Sequence, residues 1–522
     1  MIKMNTFYSI LFSLTFIIAL QFVFKVSGAR LLDENLSFET MEFDTGNLTR
    51  ESFPKGFTFG TATSAYQIEG STNKGGRGPC IWDTFLKRPG IMANGENADI
   101  AVDAYHRYKE DIDLLKEMNF DAYRFSISWS RIFPNGTGKI NKEGVSYYNN
   151  VIDYLLQKGI EPYVNLYHFD LPQALEDRYL GWLDRQVVND YADYAEFCFA
   201  TFGDRVKTWI TFNEPKVIAQ YGYGDGLHAP GRCSKPYGNC PAGNSSTESY
   251  IVGHNLLLSH ATAVKRYRQK YQQKQNGRIG LVMDFHWYQP LTRGKADNYA
   301  AQRARDFHLG WFLHPITYGA YPKTMQDIVG DRLPKFTEEE VKLVKGSSSD
   351  FIGINHYTTF YMYDDPSLYN LTVPSYQTDW HASFASEKLG VPLGPVANSD
   401  WLRIVPWGIY KCMMYVKERY GMHNIILTES GMDDPGNVTL SQGVQDFTRI
   451  NYFKYYISEL KRAMDDGANI KGYFAWSLVD NFEWREGYTS RFGITYVDYK
   501  TLARYPKMSA FWFKQLCKKI LY

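Results

Sequence analysis

Two glutamates stand where carboxylate chemistry could occur. Residues 209–215, WITFNEP, alternate apolar and polar side chains as a strand does and stop at Pro215, which cannot donate to a ladder, leaving Glu214 at the strand end beside the amide of Asn213. Residues 424–431, NIILTESG, form a short aliphatic run that ends on Glu429 with a glycine just beyond. Hydrolysis of a stable acetal needs a proton donor and a second carboxylate facing it, and these two strand ends offer one each. Taken singly, most glutamates at strand ends are solvated or cap a helix. The rest of the chain has to bring these two together.

Eight short strand-like runs supply a frame: Gly56 to Ala62, Ala122 to Trp129, Glu161 to His168, Thr208 to Asn213, Arg278 to Phe285, Asp350 to Tyr357, Asn424 to Glu429 and Lys471 to Trp476. Amphipathic segments separate them. One is Asp103 to Met118, where Tyr105, Tyr108, Ile112, Leu115 and Met118 recur at three- and four-residue spacing; Val145 to Gln157 is another. Eight βα units without a Gly-rich dinucleotide fingerprint predict an α/β chain folded as a single (β/α)8 TIM barrel, with its site where the strands end. The Pro- and Gly-containing stretch from about Asp364 to Pro406 reads as a long loop insertion over that C-terminal face.

The polar residues at the strand ends are of one kind. Gln67 follows the first run, Arg124 and Trp129 belong to the second, and His168 ends the third. Asn213 and Glu214 end the fourth, Asn355 and Tyr357 the sixth, Glu429 the seventh, and Trp476 the eighth, with Glu483 and Trp484 just beyond. Hydrogen-bonding groups, acids and rings are the mixture that a sugar site needs, the rings serving its C–H face. Each has a structural alternative: a satisfied histidine, a core tryptophan, an arginine in a buried ion pair. Their placement on one face favours the site.

Composition narrows the partners. The 522 residues are 44% hydrophobic with a net charge of +1, which gives no field to attract nucleic acid or an anionic membrane. Aromatic residues reach 16%, including 40 tyrosines and 12 tryptophans, which suits stacking on sugar rings as well as core formation. Lys3, an apolar run from Phe7 to Phe24 and small residues at Ser27 to Ala29 predict a signal peptide over residues 1–29, a leader over 30–50 and the barrel over 51–522. No other stretch approaches the length of a membrane span. Secretion makes six sequons plausible glycan sites, at Asn35, Asn47, Asn135, Asn244, Asn370 and Asn437. The C-terminus, KKILY, lacks an ER-retention tetrapeptide, so the expected destination is the cell wall space or the vacuole. Of six cysteines only Cys233 and Cys240 lie close, in a Gly/Pro/Ser-rich loop, and an oxidising compartment favours one disulfide between them. Cys80, Cys198, Cys412 and Cys517 read as buried thiols, and no His/Cys cluster has metal-ligand spacing.

From about Phe53 to the C-terminus the chain resembles plant glycoside hydrolase family 1, of the β-glucosidase/β-mannosidase type. Seven motifs in the family's order carry the resemblance: FTFGTATSAYQIEG, YRFSISWSRIFP, LYHFDLP, TFNEP, GINHYT, ILTESG and YFAWSLVDNFEW. It implies a (β/α)8 barrel, retention of anomeric configuration, no metal or organic cofactor, and exo-action on small-molecule or oligosaccharide β-glycosides. By the same resemblance Glu214 is the general acid/base and Glu429 the nucleophile, about 5 Å apart as retention requires. Arg124 and Tyr357 orient Glu429, and Asn213 contacts the sugar's 2-hydroxyl. Gln67, His168, Asn355, Trp476, Glu483 and Trp484 belong to the sugar pocket, and Trp401 flanks the aglycone. Thioglucosidases of the family carry Gln at the acid/base position; Glu214 favours O-glycosides. Two departures stand out: Ser430 replaces the Asn that usually follows the nucleophile, which predicts looser packing behind Glu429, and His356 replaces an aromatic residue beside Asn355. The match looks closest to the plant branch that accepts β-mannosides as well as β-glucosides. The alternatives are transglycosylation on the same scaffold and a non-catalytic sugar-binding protein, which would not require both carboxylates.

Overall fold

Eight parallel strands close into a barrel in the computed structural model, which describes residues 38–92, 95–421 and 424–519. They are β1 (Thr58–Ala62), β2 (Ala122–Ser126), β3 (Glu161–Asn165), β4 (Thr208–Asn213), β5 (Arg278–Asp284), β6 (Phe351–Asn355), β7 (Ile425–Ser430) and β8 (Ile470–Trp476). Each pairs with its neighbours in sequence, and β1 closes on β8 with Ala62 opposite Trp476. All eight expected runs are strands, four of them shortened at the C-terminal end. Trp129 is not part of β2: it opens a helical turn, Trp129–Ile132, and is fully buried with its indole donating to the Gly136 carbonyl at 2.9 Å. It is core.

The barrel interior is filled by side chains. Ala122, Tyr163, Ile210, Val282, Phe351, Ile426 and Phe474 make one buried cluster, contributed by seven strands, and each large apolar member contributes about 1.5–3 kcal/mol by leaving water. Arg278 caps the cluster by donating to the Tyr163 hydroxyl at 2.6 Å while its guanidinium lies over the Tyr163 and Phe351 rings. Gly60 on β1 is required by this filling, since a Cβ there would lie 2.4 Å from the Phe474 ring. Strands buried on both faces read as near-continuous apolar runs. The outer helices bury one stripe each: Ala104–Glu117 presents Ile112 and Leu115 inward, and Lys142–Gln157 presents Tyr148, Val151, Ile152 and Leu155.

The loops at the strands' C-terminal ends carry the additions. Thr359–Asp364, at the start of the insertion, joins a three-stranded sheet with Trp287–Pro290 and Ala382–Ala385, and a hairpin pairs Glu387–Lys388 with Val391–Pro392. Cys233 and Cys240 form a disulfide with Cα atoms 5.3 Å apart, and the other four cysteines are buried thiols.

The described part of the N-terminal unit, Phe38–Asp44, holds a single helical turn over Phe38–Thr40, and the second unit runs from Thr45 onward. In the second unit Arg50, within the expected leader, pairs with Asp121 at 2.6 Å. The signal segment and Asn35 lie outside the described residues. Asn47, Asn135, Asn244, Asn370 and Asn437 are all exposed. Among the described residues no helix is long and apolar enough to cross a membrane, and no His, Cys, Asp and Glu group is arranged to hold a metal ion.

Candidate active site

Glu214 ends β4 and is the N-cap of the helix Pro215–Tyr223, with φ 47° and ψ 63°, a left-handed conformation that L residues rarely adopt. Pro215 occupies the first helical turn, where its missing N–H costs nothing. The strained backbone turns the side chain into the barrel mouth, where Asn355 Nδ2 donates to Oε1 at 2.7 Å. Burial pushes the Glu214 carboxyl well above the usual range, and the negative charges of Glu429 and Asp284 push it further; Asn355 and Lys216 pull against them.

Glu429 lies three strands away around the barrel, on β7. Its Oε1 accepts from Arg124 Nη1 and its Oε2 from the Tyr357 hydroxyl at 2.8 Å. Burial raises this carboxyl too, but the Arg124 charge, its hydrogen bond and those of Tyr357 and Asn355 draw it back. One proton shared by the two acids therefore resides on Glu214, and Glu429 is the ionised member. Ser430 is fully buried, and its Oγ lies 3.2 Å from the Tyr452 hydroxyl. Gly431 is needed next, because a Cβ there would sit 2.0 Å from the Trp476 carbonyl oxygen.

A chain of amides links the two carboxylates. Asn213 Oδ1 accepts from Arg124 Nη2 at 2.6 Å and from Asn355 Nδ2 at 3.0 Å, so the groups that hold Glu429 and Glu214 hold each other. Asn355 Oδ1 in turn accepts from Thr428 at 2.7 Å. The members of this network are buried apart from the half-buried Glu214, and Arg124 Nε is left without a hydrogen-bond partner.

Above this network opens a cavity of about 440 Å³, enough for a sugar unit and part of an aglycone. His168, Glu214, Tyr357, Trp401, Glu429, Trp476, Glu483 and Trp484 line it. The His168 ring stacks on Trp476 and Trp484 at centroid distances of 5.9 and 6.0 Å, and burial and Arg124 keep its imidazole neutral. Glu483 is lifted to about 8 by burial, then by the charges of Asp433 and Glu429. Gln67, Arg124, Asn213 and Asn355 stand one hydrogen bond behind the lining; Gln67 reaches the site by donating to Glu483 at 3.2 Å. Trp401, 42% exposed, flanks the outer cavity. Its segment is tied down by Asp433, whose carboxylate accepts from Ser399 Oγ at 2.7 Å, Asn398 Nδ2 at 3.1 Å and Ser490 Oγ at 2.8 Å.

Several site residues escaped sequence reasoning. Lys216, Asp284 and His286 line the cavity beside Glu214, and Asp284 and His286 sit at the end of the fifth strand, from which no polar group had been read. The signal was present: the run ends LVMDF, with His286 next. His356 behaves otherwise than its neighbours suggest. Its side chain turns out of the barrel, with Nδ1 2.8 Å from the Phe285 carbonyl and 3.4 Å from Cys412 Sγ, and burial lowers its imidazole to about 4.

Two facing carboxyl groups in opposite proton states can give a proton to a departing oxygen and meet the carbon it leaves, within a cavity walled by rings. Such a barrel defines a glycosyl hydrolase. The chain belongs to glycosyl hydrolase family 1, whose family profile matches residues 49–520, and is a retaining enzyme of that family. Beta-glucosidase 44 of Arabidopsis thaliana is 66% identical over 93% of this chain and 95% of its own length. Beta-glucosidase 26 of Oryza sativa subsp. japonica is 63% identical over 91% and 92%. The crystal structure of rice Os3BGlu6 beta-glucosidase superimposes with a TM-score of 0.89 at 52% identity, covering 91% of this chain and all of that one. A mutant of that rice enzyme has been solved in a covalent complex with Glc.

Proposed function

We propose that the protein is a β-glucosidase that removes terminal β-D-glucosyl, and also β-D-mannosyl, residues from O-glycosides and short oligosaccharides through a covalent glycosyl-enzyme. The observation that carries this reading is the asymmetric carboxyl pair. Glu429, ion-paired to Arg124, attacks the anomeric carbon as the nucleophile while Glu214 protonates the glycosidic oxygen. Esterification of Glu429 removes the charge that helps hold the proton on Glu214, and Glu214 then takes a proton from the water that frees the sugar. Trp476, Trp484 and His168 supply ring faces, and Glu483, held by Gln67, supplies acceptors for hydroxyls. The covalent complex of the rice relative with Glc supports the intermediate.

Acceptance of mannosides rests on the plant-branch resemblance. Glucose and mannose differ only in the orientation of the 2-hydroxyl, which by that resemblance meets Asn213, and hydrogen bonds to this group strengthen in the transition state, so small changes around Asn213 and Glu429 can favour either epimer. Purified protein should release p-nitrophenol from aryl β-glucoside and β-mannoside with kcat/KM values within about tenfold, a gap of roughly 1.4 kcal/mol. A thousandfold glucoside preference would refute dual specificity. No release from either substrate would refute the enzyme reading and favour sugar binding alone.

A further inference from the structure

Lys216 lies two residues beyond Glu214, 5% exposed, with its ammonium 2.8 Å from Asp284 Oδ2. The same oxygen is 2.6 Å from His308 Nε2, and His308 Nδ1 is 2.5 Å from the Tyr288 hydroxyl. Asp284 ends β5, the strand between those that carry Glu214 and Asn355, and is the ladder partner of Asn355. A buried ion pair rarely stabilises a fold more than apolar residues of like volume would. This pair sits in the cavity wall with Glu214.

The charged and titratable groups that face Glu214 are few. Glu429 comes from β7, Asp284 from β5, His286 from just beyond β5, where burial lowers its imidazole and keeps it neutral, Tyr357 from beyond β6, and Lys216 and Tyr221 from the helix that Glu214 begins. Glu429 is consumed by the chemistry and the tyrosines stay neutral, so the Lys216 and Asp284 charges are the permanent ones. Burial opposes ionisation of Asp284, but His308 and Lys216 hold it well below the carboxylate range. His308 is itself lowered to about 4 by burial, so it donates to Asp284 as a neutral imidazole and does not cancel its charge.

We propose that Lys216 and Asp284 are a positioning pair for the acid/base glutamate: the Asp284 carboxylate holds the proton on Glu214 until the leaving group needs it, and the Lys216 ammonium limits that hold so that Glu214 can act as a base when water attacks. The inference rests on the reading of Glu214 as the acid/base. In the first step the proton passes from Glu214 to the glycosidic oxygen; in the second, water gives its proton to Glu214, and neither Lys216 nor Asp284 exchanges one.

The test is the alkaline limb of the kcat/KM profile for an aryl β-glucoside, measured on the purified full-length enzyme. Removing the negative charge with Asp284→Asn should move the limb to lower pH by about 0.5–1 unit, and removing the positive charge with Lys216→Met should move it to higher pH by a similar amount. The double variant should return it to within about 0.3 unit of the parent, and Lys216→Arg should leave it in place. A structural role has no reason to shift the limb in opposite directions. Single variants that lower kcat/KM uniformly without moving the limb, or that move it the same way, overturn the proposal. If Lys216→Met fails to fold, Lys216→Arg, Asp284→Asn and the double variant still decide it. Glu214→Gln must abolish the limb in the same assay; a limb that survives overturns the acid/base reading itself.

Discussion

Replacing Glu214 separates two effects that the structure places on one residue. Its left-handed backbone costs an L residue roughly 1–2 kcal/mol, a cost that glycine does not carry. The side chain gains about 1 kcal/mol from the Asn355 hydrogen bond. Glu214→Gly therefore trades a lost hydrogen bond and a floppier unfolded chain against relieved strain, and its thermal midpoint should match or exceed the parent's. Glu214→Ala loses the same hydrogen bond without the relief and should melt about 1 kcal/mol below the glycine variant. Both lose the proton donor, which should slow alkyl glycosides by about 10²–10⁴-fold, or roughly 3–5 kcal/mol. Dinitrophenyl glycosides, whose leaving group departs unprotonated, should still form the glycosyl-enzyme, and azide should then give the β-glycosyl azide. Calorimetry on the two variants beside kcat/KM over a leaving-group series reads both effects. Equal losses for poor and activated leaving groups would refute the acid role, and an alanine variant more stable than the glycine variant would refute the strain argument.

Glu483 offers a stability test with a defined sign. Because its folded carboxyl is raised to about 8, the stability it contributes is complete below the ordinary carboxylate range and is lost as pH climbs from there to about 8. Glu483→Gln should melt like the parent below about pH 4 and, on the order of a few kcal/mol, more stably near pH 8, while binding sugar more weakly; a melting difference independent of pH would contradict this. Secretion predicts a mature N-terminus near Ala29 or Arg30, read by sequencing, and a fall in apparent mass on glycan removal, since Asn47, Asn135, Asn244, Asn370 and Asn437 are all exposed. A tagged protein found in the cytosol would contradict both.

The barrel was legible because the strands are short runs rich in apolar, aromatic and β-branched residues that alternate with longer amphipathic helical segments. Strand ends also told which side chains share a rim, so Glu214, Glu429, His168, Tyr357, Trp476 and Glu483 meet as their positions suggest. Direction within the rim was not legible. Adjacent residues on a strand point to opposite faces, and His356, flanked by Asn355 and Tyr357, turns toward Cys412 on the outer helix Trp407–Tyr420. Lys216 was missed because a lysine in the first turn of a helix reads as solvated; only the left-handed turn at Glu214 carries it inward to meet Asp284. Likewise Asp433 reads as one more loop acid after the nucleophile, and its hold on the Trp401 segment depends on a contact across 34 residues.

The assignment of Glu429 as the nucleophile is tested most directly by the stereochemistry of rescue. Glu429→Gly, which leaves Arg124 and Tyr357 facing the vacated site, should lose turnover of aryl β-glucosides, and azide should restore it by entering from that face to give the α-glycosyl azide. A β-azide product, or turnover that persists without azide, would contradict the account.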